Sequence, residues 1–155
     1  PQGIPVNKSA AGARVIPAAT ASDYALVVNG PGAATPLRLT LDQLQALPQH
    51  TADLPIACVE GWSAGATWTG VRVRDLLAMA GATPDREVVV HSLQARGAYA
   101  KSELNVQHAQ HPDTLLALSI GGEPLHIDHG YPCRLIGPNR PGVQQTKWVG
   151  RLEIT

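Results

Sequence analysis

Phenylalanine is absent from this 155-residue chain, and aromatic residues of every kind amount to only 4%. Filling a core therefore falls to Val, Leu, Ile and Ala. Net charge is missing as well: twelve Lys and Arg balance twelve Asp and Glu, and charged residues make up 15%. A chain without cationic excess offers no electrostatic reason to bind nucleic acid. Its 44% hydrophobic content sets it apart from disordered sequences. No apolar run approaches the roughly 20 residues that cross a bilayer. No basic segment followed by an apolar one opens the chain as a secretion signal would. The first residue is Pro1, which is expected of a chain processed or cut from something longer, whose signal or membrane segment has been lost. Two cysteines cannot fix a redox compartment. Also lacking are HExxH, the GxSxG elbow and CxxCH, so nothing points to a zincin, a serine hydrolase or a covalently attached c-type haem.

What is plentiful is Gly (15) and Pro (13), which implies many turns within a single domain. Residues 1–22 are rich in Ala, Pro and Gly without a sustained period and are expected to form an irregular arm. From residue 23 onward the pattern is that of a strand-rich α+β domain with a few short helices. Strands are expected over 23–28, 37–39, 54–58, 87–93, 115–120, 131–136 and 147–154. Thr40 followed by Gln43 has the form of a capping box ahead of a helix with Leu41, Leu44 and Leu47 on one face. Val73, Leu76, Leu77 and Ala80 predict a second helix over 71–80, closed by Gly81. Residues 59–69 read as irregular, and 102–109 as a short helix capped by Ser102.

The segment with most chemistry is Cys58-Val59-Glu60-Gly61-Trp62-Ser63, followed by Trp68-Thr69-Gly70-Val71. A cysteine where a buried strand opens into a Gly-containing loop can present a soft thiolate to a metal, or it can be an inert core residue. CVEGWS and WTGVRVRDLL resemble the cofactor-cysteine segment of the sulfite oxidase family. The form is nearest its bacterial branch, which contains the periplasmic methionine-sulfoxide reductase catalytic subunit. The likeness continues at residues 121–125 (GGEPL), at 129–136 (HGYPCRLI), and at 142–148 with the terminal strand 151–154. The lead-in over 23–47 fits too, so the resemblance spans 23–155 with four motifs in order.

That resemblance implies the sulfite-oxidase catalytic-domain fold and a Mo-molybdopterin cofactor, with Cys58 as catalytic residue and as the protein's ligand to the metal. It places Asn7, Ser92, His129, Arg134, Gln145, Thr146 and Lys147 around the cofactor, Arg134 and Lys147 at its anionic end. Without it, Arg134 is a surface strand residue, Lys147 a solvated charge, Ser92 an ordinary strand serine and Asn7 plain loop. The implied activity is oxygen-atom transfer, on sulfite or a sulfoxide, with electrons exchanged with a haem-containing partner that is possibly membrane-bound. The implied location is extracytoplasmic, on a chain tethered in its full-length form. Glu60 and Asp128 flank the strongest motifs in roles the pattern leaves open, whereas Trp62 and Trp68 are expected to pack the loop after Cys58. No motif selects a sulfite-binding cation from Arg72, Arg74, Arg96, Lys101 and Arg140.

Three rivals stand beside this reading. One is a cofactor-free interaction or scaffold domain with the same fold. Another is a Cys58–Cys133 disulfide, which would leave no thiolate for a metal. The last is a zinc site from His126, Asp128 and His129 or from His108 and His111, although none of these makes a closed ligand set.

Overall fold

The computed structural model describes residues 2–57, 63–138 and 144–155. The chain opens with two single-turn helices, α1 (Ala10–Ala13) and α2 (Ile16–Ala19), whose Ala10, Val15 and Ala19 are buried against Trp148. Strands β1 (Ala25–Asn29) and β2 (Leu37–Thr40) then pair antiparallel, and α3 (Leu41–Ala46) follows directly. The capping box at its start is formed in full: the Thr40 hydroxyl accepts from the Gln43 amide, and the Gln43 side chain accepts from that of Thr40. Next come β3 (His50–Asp53), β4 (Ile56–Ala57), β5 (Ser63–Ala64), β6 (Thr67–Arg72), α4 (Val73–Met79), β7 (Val88–Ser92) and β8 (Lys101–Leu104). The chain ends with α5 (Val106–Gln110), β9 (Leu115–Ile120), β10 (Glu123–Pro124), β11 (Arg134–Ile136) and β12 (Val149–Ile154).

Apart from β4 and β5, which pair with each other, these strands form two large sheets. The first has the order β2-β1-β12-β7-β8, and only its β1–β12 pair is parallel. The second runs β10-β9-β6-β3, with β11 also on β9. β9 is apolar at almost every position because both its faces are covered. Leu116 and Leu118 join the main core with α3, α4 and the inner face of the first sheet, while Leu115 and Ala117 join a second core with Trp68, Ile56 and Ile136. Gly70 lets β6 lie close to β9: a Cβ there would sit 2.1 Å from the Leu116 carbonyl oxygen.

Several expectations from the sequence need correction. The arm 1–22 contains two helical turns. The strand expected over 54–58 is replaced by β3 at 50–53 and the short β4, and 71–72, expected to be helical, end β6. Residues 67–69, read as irregular, begin β6, because Trp68 buries its ring in the second core and Gly70 carries a register shift. The segment 102–109 is a strand followed by a helix. Ser102 pairs with Val90 in the sheet, and Asn105 is the true cap, accepting from the His108 amide. The strand expected over 131–136 starts only at Arg134, after a 3₁₀ turn (Ile127–His129) and a left-handed Gly130.

Candidate functional site

Two segments meet at the site, the turn-and-strand stretch 127–136 and the approach to β12, residues 145–148. Backbone bonds fix the second on the first: the Leu135 amide donates to Thr146 O at 2.8 Å and the Val149 amide to Cys133 O at 2.9 Å. From the other side the Leu93 amide donates to Trp148 O, and the Ser92 hydroxyl donates to Lys147 O at 2.8 Å. The Thr146 hydroxyl meets that of Ser102 at 2.7 Å. Trp148 holds a left-handed φ of 52°, costly for so bulky a residue, and is pinned by its indole N–H donating to Ile127 O.

Arg134 is 3% exposed. Its guanidinium donates to His129 O at 3.2 Å and Gln145 O at 3.1 Å and lies 5.2 Å from the Trp68 ring centroid. Its Nε has no partner, and no carboxylate pairs with it among the described residues. Burial pulls its pKa down to about 9. Lys147 is the second cation. Its ammonium donates to Lys8 O and to Asp128 O, the latter at 2.9 Å, and lies 4.6 Å from the Trp148 ring centroid. Burial, with repulsion from Arg134, lowers its pKa to about 7 against a smaller upward pull from Asp128.

Gly130 makes this crowding possible. It sits at φ +113°, where a Cβ would be 2.8 Å from Arg134 Cβ and 3.3 Å from Lys147 Cβ. The two cations face a small recess lined also by Ile4, Pro5, Asn7, Ile56 and His129. A second recess adjoins it, sharing Asn7 and Lys147 and adding Lys8, Gln94, Tyr99, Gln145, Thr146 and Trp148.

The structure thus gathers Asn7, His129, Arg134, Gln145, Thr146 and Lys147 about two joined recesses. Ser92 lines neither and instead buttresses the Lys147 carbonyl. Cys58, Glu60, Trp62 and Arg140 lie outside the described residues. Trp68 is no loop residue but the aromatic floor beneath Arg134. Residue patterning did not reveal Lys8, Gln94 or Tyr99, whose neighbours in space come from distant segments. Arg72 is turned elsewhere, bonded to His50 and Pro112 O.

Two rivals fail on these observations. Cys133 is a free, buried thiol pushed up to about 12 by desolvation, 3.1 Å from the Tyr24 hydroxyl, so it forms no disulfide. Among the described residues, no group of three or more His, Cys, Asp or Glu could hold a metal ion.

A recess with a buried arginine and a half-buried lysine, neither paired with a carboxylate among the described residues, suits an anion, and comparison with known proteins identifies the class. The family model described as "Oxidoreductase molybdopterin binding domain" matches residues 13–155. The chain belongs to that family. A putative protein-methionine-sulfoxide reductase subunit YedZ1 from Azospira oryzae is 36% identical over 116 residues, covering 75% of this chain and 43% of the relative. The mitochondrial sulfite oxidase of Drosophila melanogaster is 31% identical over 164 residues, 90% of this chain and 28% of that protein. Among solved structures, the sulfane dehydrogenase SoxCD from Paracoccus pantotrophus superposes with a TM-score of 0.77 at 27% identity, over 85% of this chain and 38% of that one. The chain therefore spans well under half the length of these relatives. It is a molybdopterin-binding domain of the sulfite-oxidase type with the expected α+β fold.

The residues present fit that cofactor. A buried arginine with an unused N–H and a neighbouring lysine suit an anionic phosphate end. The polar lining of the adjoining recess, Asn7, Gln94, Gln145 and Thr146, suits a heterocycle rich in donors and acceptors.

Proposed function

We propose that the domain binds Mo-molybdopterin and serves oxygen-atom transfer on sulfite or a sulfoxide, with the Cys58 thiolate as the metal's protein ligand. Residues 23–155 are its body and residues 1–22 its arm. The observation that carries this reading is Arg134, buried among carbonyls and an aromatic ring with no carboxylate partner among the described residues. Burying a charge costs several kcal/mol even after relaxation. Two hydrogen bonds from a charged donor and a cation–π contact return part of that, roughly 2 kcal/mol each. A pure scaffold has no use for such an arrangement. An anion at ordinary ion-pair distance gains about 4 kcal/mol per cation at the effective dielectric of such sites.

In this reading Arg134 and Lys147 hold the phosphate end, while Asn7, His129, Gln145 and Thr146 orient the rest. Ser92 and Ser102 keep the 145–148 segment in register. Ile56, two residues before Cys58 in sequence, lines the cation recess, which supports a thiolate presented beside it. Bound there, the molybdenum-pterin group supplies the two-electron chemistry, while the protein contributes position, charge and water control. The Lys147 ammonium, already near neutrality, holds a proton at Nζ once an anion arrives. Electrons pass to or from a haem-containing partner, and the domain works on the extracytoplasmic side, tethered in its full-length form. The likeness to a protein-methionine-sulfoxide reductase subunit supports the extracytoplasmic side alone.

Molybdenum measured by plasma mass spectrometry on wild type and Cys58→Ala, both made in a cofactor-competent host, tests the ligand. Near-stoichiometric metal in wild type with loss or an altered metal spectrum in the variant is expected. Identical metal content and spectrum in both would remove Cys58 from the metal.

A further inference from the structure

The arm is stitched to the body at three places far apart in sequence. The Gln2 amide bridges Pro124 O at 3.0 Å and the His126 N–H at 2.9 Å. The Ala10 N–H donates to Asp128 Oδ1 at 2.8 Å. The Lys8 carbonyl accepts from Lys147 Nζ. Between these stitches, Ile4, Pro5 and Asn7 form one wall of the Arg134 recess. Asp128 is the residue common to both sides of the seam. Its carboxylate holds the first amide of α1, and its carbonyl accepts from the Lys147 ammonium.

We propose that Asp128 is a positioning residue that fastens the arm over the anion recess, so that a bound cofactor is retained by a strap as well as by the recess. This rests on the cofactor reading above. The arm must release from Asp128 for a ligand of pterin size to pass the wall of Ile4, Pro5 and Asn7, and its return closes the site. The fastening is assigned to the oxygen acceptor, which Asp128→Asn keeps, and not to the carboxylate's charge. An amide oxygen at the same position would fasten the arm equally well.

The test uses the whole chain loaded with molybdopterin, as wild type, Asp128→Ala and Asp128→Asn. Two readouts are taken: tryptic cleavage after Lys8 and Arg14, both in the arm, and release of the pterin followed by fluorescence of its oxidised derivative. In Asp128→Ala both rates rise by up to about tenfold, the factor of one ordinary hydrogen bond. In Asp128→Asn both stay near wild type. Gln2→Ala, remote from the cations, gives a smaller rise and serves if Asp128→Ala fails to fold. An arm that stays protected with unchanged release in Asp128→Ala overturns the proposal. So does an Asp128→Asn that behaves like Asp128→Ala, since charge on Lys147 would then be the cause. A wild type that takes up no pterin fails the cofactor reading and the retention claim with it. The cleavage patterns of the two variants still decide the fastening.

Discussion

Arg134 carries opposite consequences for stability and for binding. Its guanidinium is desolvated without a carboxylate, so replacing it removes a buried charge as well as two hydrogen bonds. For Arg134→Met, cofactor-free stability is expected within about 1 kcal/mol of wild type by urea unfolding, because the two effects offset. A loss above about 3 kcal/mol would show instead that the guanidinium holds the fold.

Lys147 makes a pH-dependent contribution whose sign is fixed. In the unfolded chain a lysine titrates near its ordinary 10.5, whereas in the fold Lys147 titrates at about 7. Between those values the unfolded chain binds more protons, so stability rises with pH across that window. Cofactor-free wild type should gain stability from pH 7 toward pH 10, and Lys147→Met should flatten that rise. Affinity for an anion runs the other way. Above pH 7 binding must re-protonate Lys147, so affinity falls as pH rises. Equal slopes in wild type and Lys147→Met would refute both expectations.

At the scale of elements, the site is the joint between a 3₁₀ turn, β11 and the lead into β12, closed by Gly130. Gly130→Ala puts a Cβ at a left-handed φ against two Cβ atoms, one of them at 2.8 Å. A loss of roughly 1–3 kcal/mol in urea unfolding is expected, with weaker anion binding as Arg134 and Lys147 are pushed apart. Wild-type stability with wild-type binding would show that the joint yields freely.

Elements with a local cause were legible in the sequence. α3 was marked by its capping box, α4 by its apolar spacing and β9 by a short apolar run with turn signals. Those whose cause lies across the fold were not. β6 looked irregular because Trp68 and Gly70 make sense only against β9 and Leu54 O, to which the Trp68 indole donates. β8 was hidden because Ser102, a plausible cap, pairs instead with Thr146 across 44 residues. In the site, Arg134, Lys147 and His129 could be named because they sit inside motifs. Lys8, Gln94 and Asp128 acquired roles only when the arm was seen to cross Lys147.

At the scale of the whole molecule, two sheets share one core, and the second sheet's other face, carrying Trp68, packs in a second cluster with Ile56 and the arm's Ile4. The cation site lies where that second core, the arm and the end of the first sheet converge. A neutral chain thus places at one seam two cations that have no carboxylate salt bridge among the described residues, a setting suited to an anion. Among the described residues no helix is long and apolar enough to cross a membrane.

The central claim is that this seam holds molybdopterin through Arg134. Its most direct test is the pterin content per folded chain in wild type and Arg134→Met, purified from a cofactor-competent host and assayed by fluorescence after oxidation. The account predicts close to one pterin per wild-type chain and a loss of at least about tenfold in the variant, with its fold intact by circular dichroism. A folded wild type without pterin, or a variant that retains it fully, would contradict the account.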